Sequence, residues 1–306
     1  MLSRKNKLLL LKIASLFSVV RGYNIPIIAL AQYLSAIFIL APHKGAIHIL
    51  LDFNLFILVL ASSLTVASGY IINNFYDSKK DLINRPNKSK LDRLVSQKTK
   101  LQVYFGLNFF VALIAFFVSF RAVVFFSAYI FLIWFYSHKI KKYPIIGNLM
   151  AAFLAVLPFF GILLYYKNFY EVIFFHASFL FLLLLVREMV KDLENIKGDL
   201  ANDYQTIPIV YGETMSKKII TVLLLLTIIP VYFLVNIYNV GYMDIYFYAG
   251  FILMIFFGIK LWKSDSKGQF LQLHNLLKIL IVAGVFCIVL INPSVLWHGK
   301  QLLSLI

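Results

Sequence analysis

Residues 60–86 read LASSLTVASGYIINNFYDSKKDLINRP, and residues 179–199 read FLFLLLLVREMVKDLENIKGD. In both, an unbroken apolar run passes into carboxylates and amides with no turn residue between, so the acids belong to the end of a helix rather than to a loop. Asn73, Asp77 and Asp81 recur at i, i+4 and i+8, and Glu188, Asp192, Asn195 and Asp199 at i, i+4, i+7 and i+11. Helical periodicity turns each set into one polar stripe aimed at a single target. Of the chain's 13 carboxylates, nine lie within 77–92 and 188–213. Negative charge concentrated in this way calls for a cation.

Outward from these stretches the chain is mostly hydrocarbon. Hydrophobic residues make up 61% of the 306 and charged residues 14%, with a mean hydropathy of +0.86. That composition excludes a soluble core and points to an integral membrane protein. Nine apolar stretches are long enough to span a bilayer, near residues 22–41, 53–76, 101–119, 121–138, 145–165, 169–190, 217–238, 243–262 and 272–292. With the N-terminus inside, 25 of the 29 Lys and Arg residues fall on the cytoplasmic side, leaving Lys44, Arg121, Lys167 and Lys300 outside. Both acidic stretches then lie at cytoplasmic ends of spans, where substrate enters from the cytoplasm or the inner leaflet.

The net charge of +16 follows from that topology, so no nucleic-acid partner is expected. Cys287 is the only cysteine, and His43, His48, His138, His176, His274 and His298 are scattered; neither a disulfide framework nor a zinc or haem site is expected. Residues 8–20 follow a basic start like a signal peptide, but Lys12 interrupts the apolar run and no small-residue cleavage site follows. Residues 1–20 read instead as a basic interfacial segment leading into the first span.

A solvated loop face is the bland reading of any acidic run. Continuity with the apolar helices argues against it here, and hard oxygens on two helices suit Mg²⁺, whose coordination is completed by water and substrate phosphates. Arg85, Lys141, Lys142 and Lys191 are candidates for the remaining phosphate oxygens, and equally for topology determinants. Pro86 and Pro208 read as closing the two motif helices. The 30 Phe and 18 Tyr are mostly membrane packing, with a subset suited to stabilising a carbocation. A transporter would place its acids near mid-span on broken helices, and these acids sit at span ends.

The chain resembles the UbiA superfamily of intramembrane prenyltransferases over most of its length. Asn73, Asp77 and Asp81 match the family's first motif, followed by Asn84-Arg85-Pro86, and Asn195 to Asp199 stand at the second, flanked by Arg187-Glu188, Lys191-Asp192, Thr206-Ile-Pro208 and Gly212. Arg21-Gly-Tyr-Asn24, Gly147-Asn148 and Lys278 are supporting matches. Three positions depart: Asn195 replaces the usual Asp, Asp203 stands where relatives commonly have Gly, and Lys139 and Lys141 bracket the family's lysine, of which Lys141 is preferred. The resemblance implies an all-α polytopic bundle of nine transmembrane helices around a central cavity with a cytoplasmic-side cap, as one domain over 1–306. It further implies Mg²⁺ held by Asp77, Asp81, Asp192 and Asp199, a polyprenyl diphosphate held between the motifs, and substrate binding by Asn73, Arg85, Lys141, Asp192, Asn195, Arg21 and Asn24. Asp77, Asp81 and Asp199 are the implied catalytic acids. Within the family the motifs most resemble the branch containing digeranylgeranylglyceryl phosphate synthase and chlorophyll synthase, implying a geranylgeranyl donor and a geranylgeranylglyceryl phosphate or similar lipid-alcohol acceptor. An aromatic acceptor of quinone biosynthesis is the alternative.

Overall fold

A computed structural model describes residues 4–295; Lys300 and His298 lie outside the described residues. Its helices are α1 (Arg4–Val19), α2 (Ile25–Ser35), α3 (Ala46–Leu50), α4 (Phe53–Tyr76), α5 (Ser78–Asn84), α6 (Pro86–Asp92), α7 (Gln97–Val118), α8 (Phe120–His138), α9 (Ile146–Tyr166), α10 (Glu171–Leu200), α11 (Ile207–Leu226), α12 (Ile228–Tyr232), α13 (Asp244–Trp262) and α14 (Lys267–Cys287). Single π or 3₁₀ turns extend several of them.

Among the described residues, eight helices are long and apolar enough to cross a membrane, beginning with Phe53–Tyr76 and ending with Lys267–Ile291. The stretch expected as a first span is shorter. Arg21 turns the chain with φ 49, Pro26 sits in the first turn of α2, and the helix ends in the π turn Ala36–Leu40 before Pro42. The apolar helix Ile25–Leu40 that remains falls below the roughly 20 residues a full crossing takes.

Among the described residues four buried apolar groups organise the bundle, and two of them lie on either side of α9. Ile71, Tyr104, Val111, Phe126 and Ile133 knit α4, α7 and α8, while Val190, Ile207, Ile220, Phe257 and Leu277 knit α10, α11, α13 and α14. Exposed side chains such as Phe109, Phe116, Ile252 and Ile259 are what lipid requires on the outer face. Between these two stands α9, whose Pro158 has no N–H to give and so frees the carbonyl of Leu154. Tyr129 donates its hydroxyl to that oxygen at 2.9 Å, which satisfies the group where no water could.

Pro86 follows the end of α5 at Asn84, as expected, whereas Pro208 stands well beyond the end of α10 at Leu200 and closes no helix. Pro86 opens α6 and Pro208 opens α11, where a missing N–H costs nothing. The first polar stripe is interrupted at Asp77, which separates α4 from α5 at φ −86, ψ 3; the hydrogen bonds Asp77 N to Asn73 O and Asp81 N to Asp77 O keep its register. The second stripe lies on unbroken α10. The short helices α5 and α6 fold over that end of the bundle, α5 against α10 and α6 against α1.

Candidate active site

The two stripes face each other across a polar cavity of about 710 Å³, open mouth included. Asn73, Asp77, Asp81 and Arg85 line it from the first stretch, Glu188, Lys191, Asp192 and Asn195 from α10, and Arg21, Lys141 and Asn148 from elsewhere. Close approach depends on one residue without a side chain. A Cβ on Gly198 would stand 2.4 Å from Asn84 Nδ2, and its absence lets the Gly198 N–H donate to Asn84 Oδ1 at 3.1 Å. That contact clamps the end of α5 to α10.

Asp77 is the best-determined group. Its Oδ1 accepts from Lys141 Nζ at 2.7 Å and from Tyr204 Oη at 2.7 Å, and Lys141 also donates to Asn73 Oδ1 at 3.2 Å. Burial pushes the Asp77 carboxyl up, but the charges of Lys141 and Lys80 and the two hydrogen bonds outweigh it and hold the group down at about 2. Burial, followed by the charge of Asp77, pushes Asp81 up, against Arg85, Lys80 and Lys88. Lys80 crosses to the other motif: its Nζ is 3.0 Å from Asp199 Oδ1 and lies 4.1 Å from the centroid of the Tyr204 ring. Burial lowers the ammonium's pKa, yet Asp77 and Asp199 raise it further, so Lys80 stays charged.

On α10, Asp192 Oδ2 accepts from Asn148 at 2.7 Å, and Glu188 pairs with Lys191. Asn195 donates its amide to Lys191 O at 2.7 Å, which leaves its Oδ1 buried without a hydrogen-bond partner. Arg85 stands 3.6 Å from Glu194, which is itself 2.9 Å from His274 Nδ1. Asp199 is 1% exposed and sits behind Lys80 rather than on the cavity wall. Lys142 is exposed, with its Nζ 5.4 Å from the Tyr204 ring. Asn24 lies apart, in an adjoining cavity, its amide 3.4 Å from Tyr70 Oη.

The donor set fits a hard dication. The cavity offers carboxylate and amide oxygens, one of them the orphaned Oδ1 of Asn195, and no sulfur or imidazole. Among the described residues no three His, Cys, Asp or Glu side chains form a metal cage on their own, which suits Mg²⁺, an ion that retains water and shares phosphate oxygens. Sequence reasoning missed Lys80 and Tyr204. Tyr204 follows Asp203, whose φ of 58 is left-handed; this turn, where a glycine is at ease, sends the chain back over the cavity.

Fold and site together define an integral membrane protein of the helical-bundle class, with an acid-rich cavity at one end of its spans. Residues 29–278 match the UbiA prenyltransferase family, and the chain belongs to it. It is similar to the digeranylgeranylglyceryl phosphate synthase of Thermococcus sibiricus, 33% identical over 72% of this chain and 79% of that one. The corresponding protein of Methanobrevibacter smithii is 27% identical over 71% and 79%. The fold is similar to a solved structure from work on digeranylgeranylglyceryl phosphate synthase in membranes, with a TM-score of 0.69, 20% identity, and 92% of this chain and 98% of that one covered. A UbiA homolog from Archaeoglobus fulgidus bound to DMAPP and Mg²⁺ gives a TM-score of 0.65 at 15% identity, covering 90% and 99%.

Proposed function

We propose that the protein transfers a geranylgeranyl group from its diphosphate to the free hydroxyl of geranylgeranylglyceryl phosphate or a similar lipid alcohol, with Mg²⁺ as cofactor. The observation that carries this reading is the crossing of the two motifs, Lys80 onto Asp199 and Lys141 with Tyr204 onto Asp77, beside an apolar cavity. The similarity to digeranylgeranylglyceryl phosphate synthases supports the choice of donor and acceptor.

Asp77, Asp81 and Asp192, which line the cavity, would hold the metal, with Asn73 and Asn195 as neutral oxygen donors and Asp199 fixing Lys80 behind them. When bound, Mg²⁺ supplies positive charge where the departing diphosphate becomes negative. Lys141, Arg85 and Lys191 add fixed cations at the same wall, so charge developing on the leaving oxygen meets donors already in place. The apolar cavity, about 900 Å³ with its open mouth included and lined by Phe159, Phe160, Phe179, Leu183 and Phe247 among others, suits the isoprenoid tail by its hydrocarbon walls. Tyr136 lines the polar cavity and its neighbour, where a ring face would stabilise an allylic cation while apolar walls keep water from it. The helix ends around the site carry most of the chain's Lys and Arg, which supports a cytoplasmic position.

The test is mass spectrometry of products from purified protein given Mg²⁺, geranylgeranyl diphosphate and a mixture of lipid-alcohol and aromatic acceptors. A double-tailed glyceryl phosphate is expected. A prenylated aromatic product would move the protein to quinone synthesis, and no product with no EDTA-sensitive diphosphate release would overturn the reading.

A further inference from the structure

The cations of this end of the molecule fall into two sets. Lys80, Lys141, Arg85 and Lys191 each reach a carboxylate. Arg21, Arg187 and Lys278 come from three separate elements and line a larger adjoining cavity of about 1500 Å³, open mouth included. Their partners are different. Arg21 lies over the ring of Tyr70, 4.9 Å from its centroid, and Lys278 over the ring of Tyr23 at 4.7 Å. Arg187 donates its Nε–H to His274 Nε2 at 3.3 Å, and its one carboxylate neighbour, Glu188 at 3.9 Å, is already paired with Lys191.

Lys278 is the most telling of the three. It stands inside the membrane-spanning helix α14, and among the described residues a ring face is its only recorded partner. An ammonium at such a position is costly unless an anion meets it, and ring faces attract a cation without neutralising it. The rest of this cavity is largely apolar, with Ile27, Leu180, Leu184, Ile281 and Val285 among its lining. Three cations above hydrocarbon walls fit an amphiphile with a compact dianionic head. Arg21, Asn73, Tyr136, Ala151, Glu188 and Lys191 line both cavities, so a molecule anchored in the second presents its near end to the first.

We propose that Arg21, Arg187 and Lys278 form a second anion site that binds the phosphate monoester of the lipid acceptor, beside the diphosphate cavity, whose wall Arg21 shares. This rests on the proposed prenyl-transfer reading and adds the acceptor's recognition to it. A phosphate monoester carries close to two negative charges at neutral pH and three acceptor oxygens, a match to three cations that an uncharged lipid alcohol does not make.

Binding to the full-length protein in detergent tests it, without Mg²⁺ or prenyl donor. Calorimetry compares a long-chain monoalkyl glycerol phosphate with the same monoalkyl glycerol lacking the phosphate. The phosphate lipid is expected to bind at least tenfold more tightly, the preference to vanish in Lys278→Met, and Lys278→Arg to retain it. Binding of geranylgeranyl diphosphate with Mg²⁺ is expected to change less than twofold in either variant, a split that general unfolding would not produce. Equal affinity for the two lipids, or a preference surviving both Lys278→Met and Arg21→Met, would overturn the site. Competition by inorganic phosphate at the lipid's own concentration would overturn the lipid assignment in favour of free phosphate, and tighter binding of 4-hydroxybenzoate would overturn it in favour of a carboxylate. Because the assay needs no turnover, a protein that binds the phosphate lipid but does not prenylate it breaks the proposed function and leaves the anion site standing.

Discussion

The first acidic end is assembled from pieces: α4 stops at Tyr76, Asp77 sits in the junction, and α5 carries Asp81 for seven residues before Arg85 breaks the helix again. The second lies on α10, a 30-residue helix that runs unbroken from Glu171 to Leu200 and presents Glu188, Asp192, Asn195 and Asp199 in fixed register. α10 also packs against α9, α11 and α14, so its donors stand on an element held from several sides. The segmented end therefore has freedom to adjust its donors while the continuous end serves as the platform. What joins the two is side chain to side chain or side chain to backbone: Lys80 to Asp199, Tyr204 to Asp77, and Asn84 to Gly198.

Removing metal should separate site from scaffold most completely. EDTA is expected to stop turnover and diphosphate release altogether while shifting the melting temperature by less than about 2 °C, because among the described residues no group of protein ligands forms a cage on which folding depends. A collapse of helical signal by circular dichroism on chelation would show that the two ends are held together by the ion instead.

Asp77→Asn attacks the segmented end directly. The amide keeps an acceptor for Lys141 and Tyr204 but loses the charge, and turnover is expected to fall on the order of 10²- to 10³-fold with helical content retained. Normal product formation in the variant would remove Asp77 from the site. Gly198→Ala attacks the clamp. A methyl group 2.4 Å from the Asn84 amide forces α5 away from α10, and overpacking of this kind costs about 1–3 kcal/mol. The expected result is a lowered melting temperature with a raised Mg²⁺ requirement; an unchanged melt would mean that α5 moves aside freely.

Asn195→Asp sharpens the comparison with the smallest effect. It returns a charge to the platform beside the unpartnered oxygen of Asn195, and the Mg²⁺ concentration for half-maximal activity is expected to drop by no more than about tenfold, since burying the added charge offsets much of its attraction. A Mg²⁺ titration that does not move would place residue 195 outside the metal's reach.

Much of this was legible in the chain itself. The apolar runs, the acidic stripes and the Asn84-Arg85-Pro86 signature are local patterns, and local patterns report helices and their faces. Reading failed where hydropathy and helix geometry disagree. Residues 22–41 are apolar enough for a span, but the left-handed Arg21 and the π turn before Ala41 shorten the helix. Pro208 reads as a helix end because proline stops the helix before it, but here it only starts the helix after it, while Pro86 does both.

By itself the sequence determined that this is a helical membrane protein of the UbiA prenyltransferase family with two acidic helix ends, because hydrophobicity and periodicity are properties of neighbouring residues. Only the tertiary structure decided which cation meets which carboxylate. Lys80 and Asp199 are 119 positions apart in the chain and 3.0 Å apart in space, and Lys141 was one of two lysines that fitted the pattern until its ammonium met Asp77. The separation of Arg21 and Lys278, which rest on ring faces, from the carboxylate-paired cations has the same origin. It depends on how α10 and α14 pack beside the turn at Arg21, and no spacing within any one of those segments encodes it.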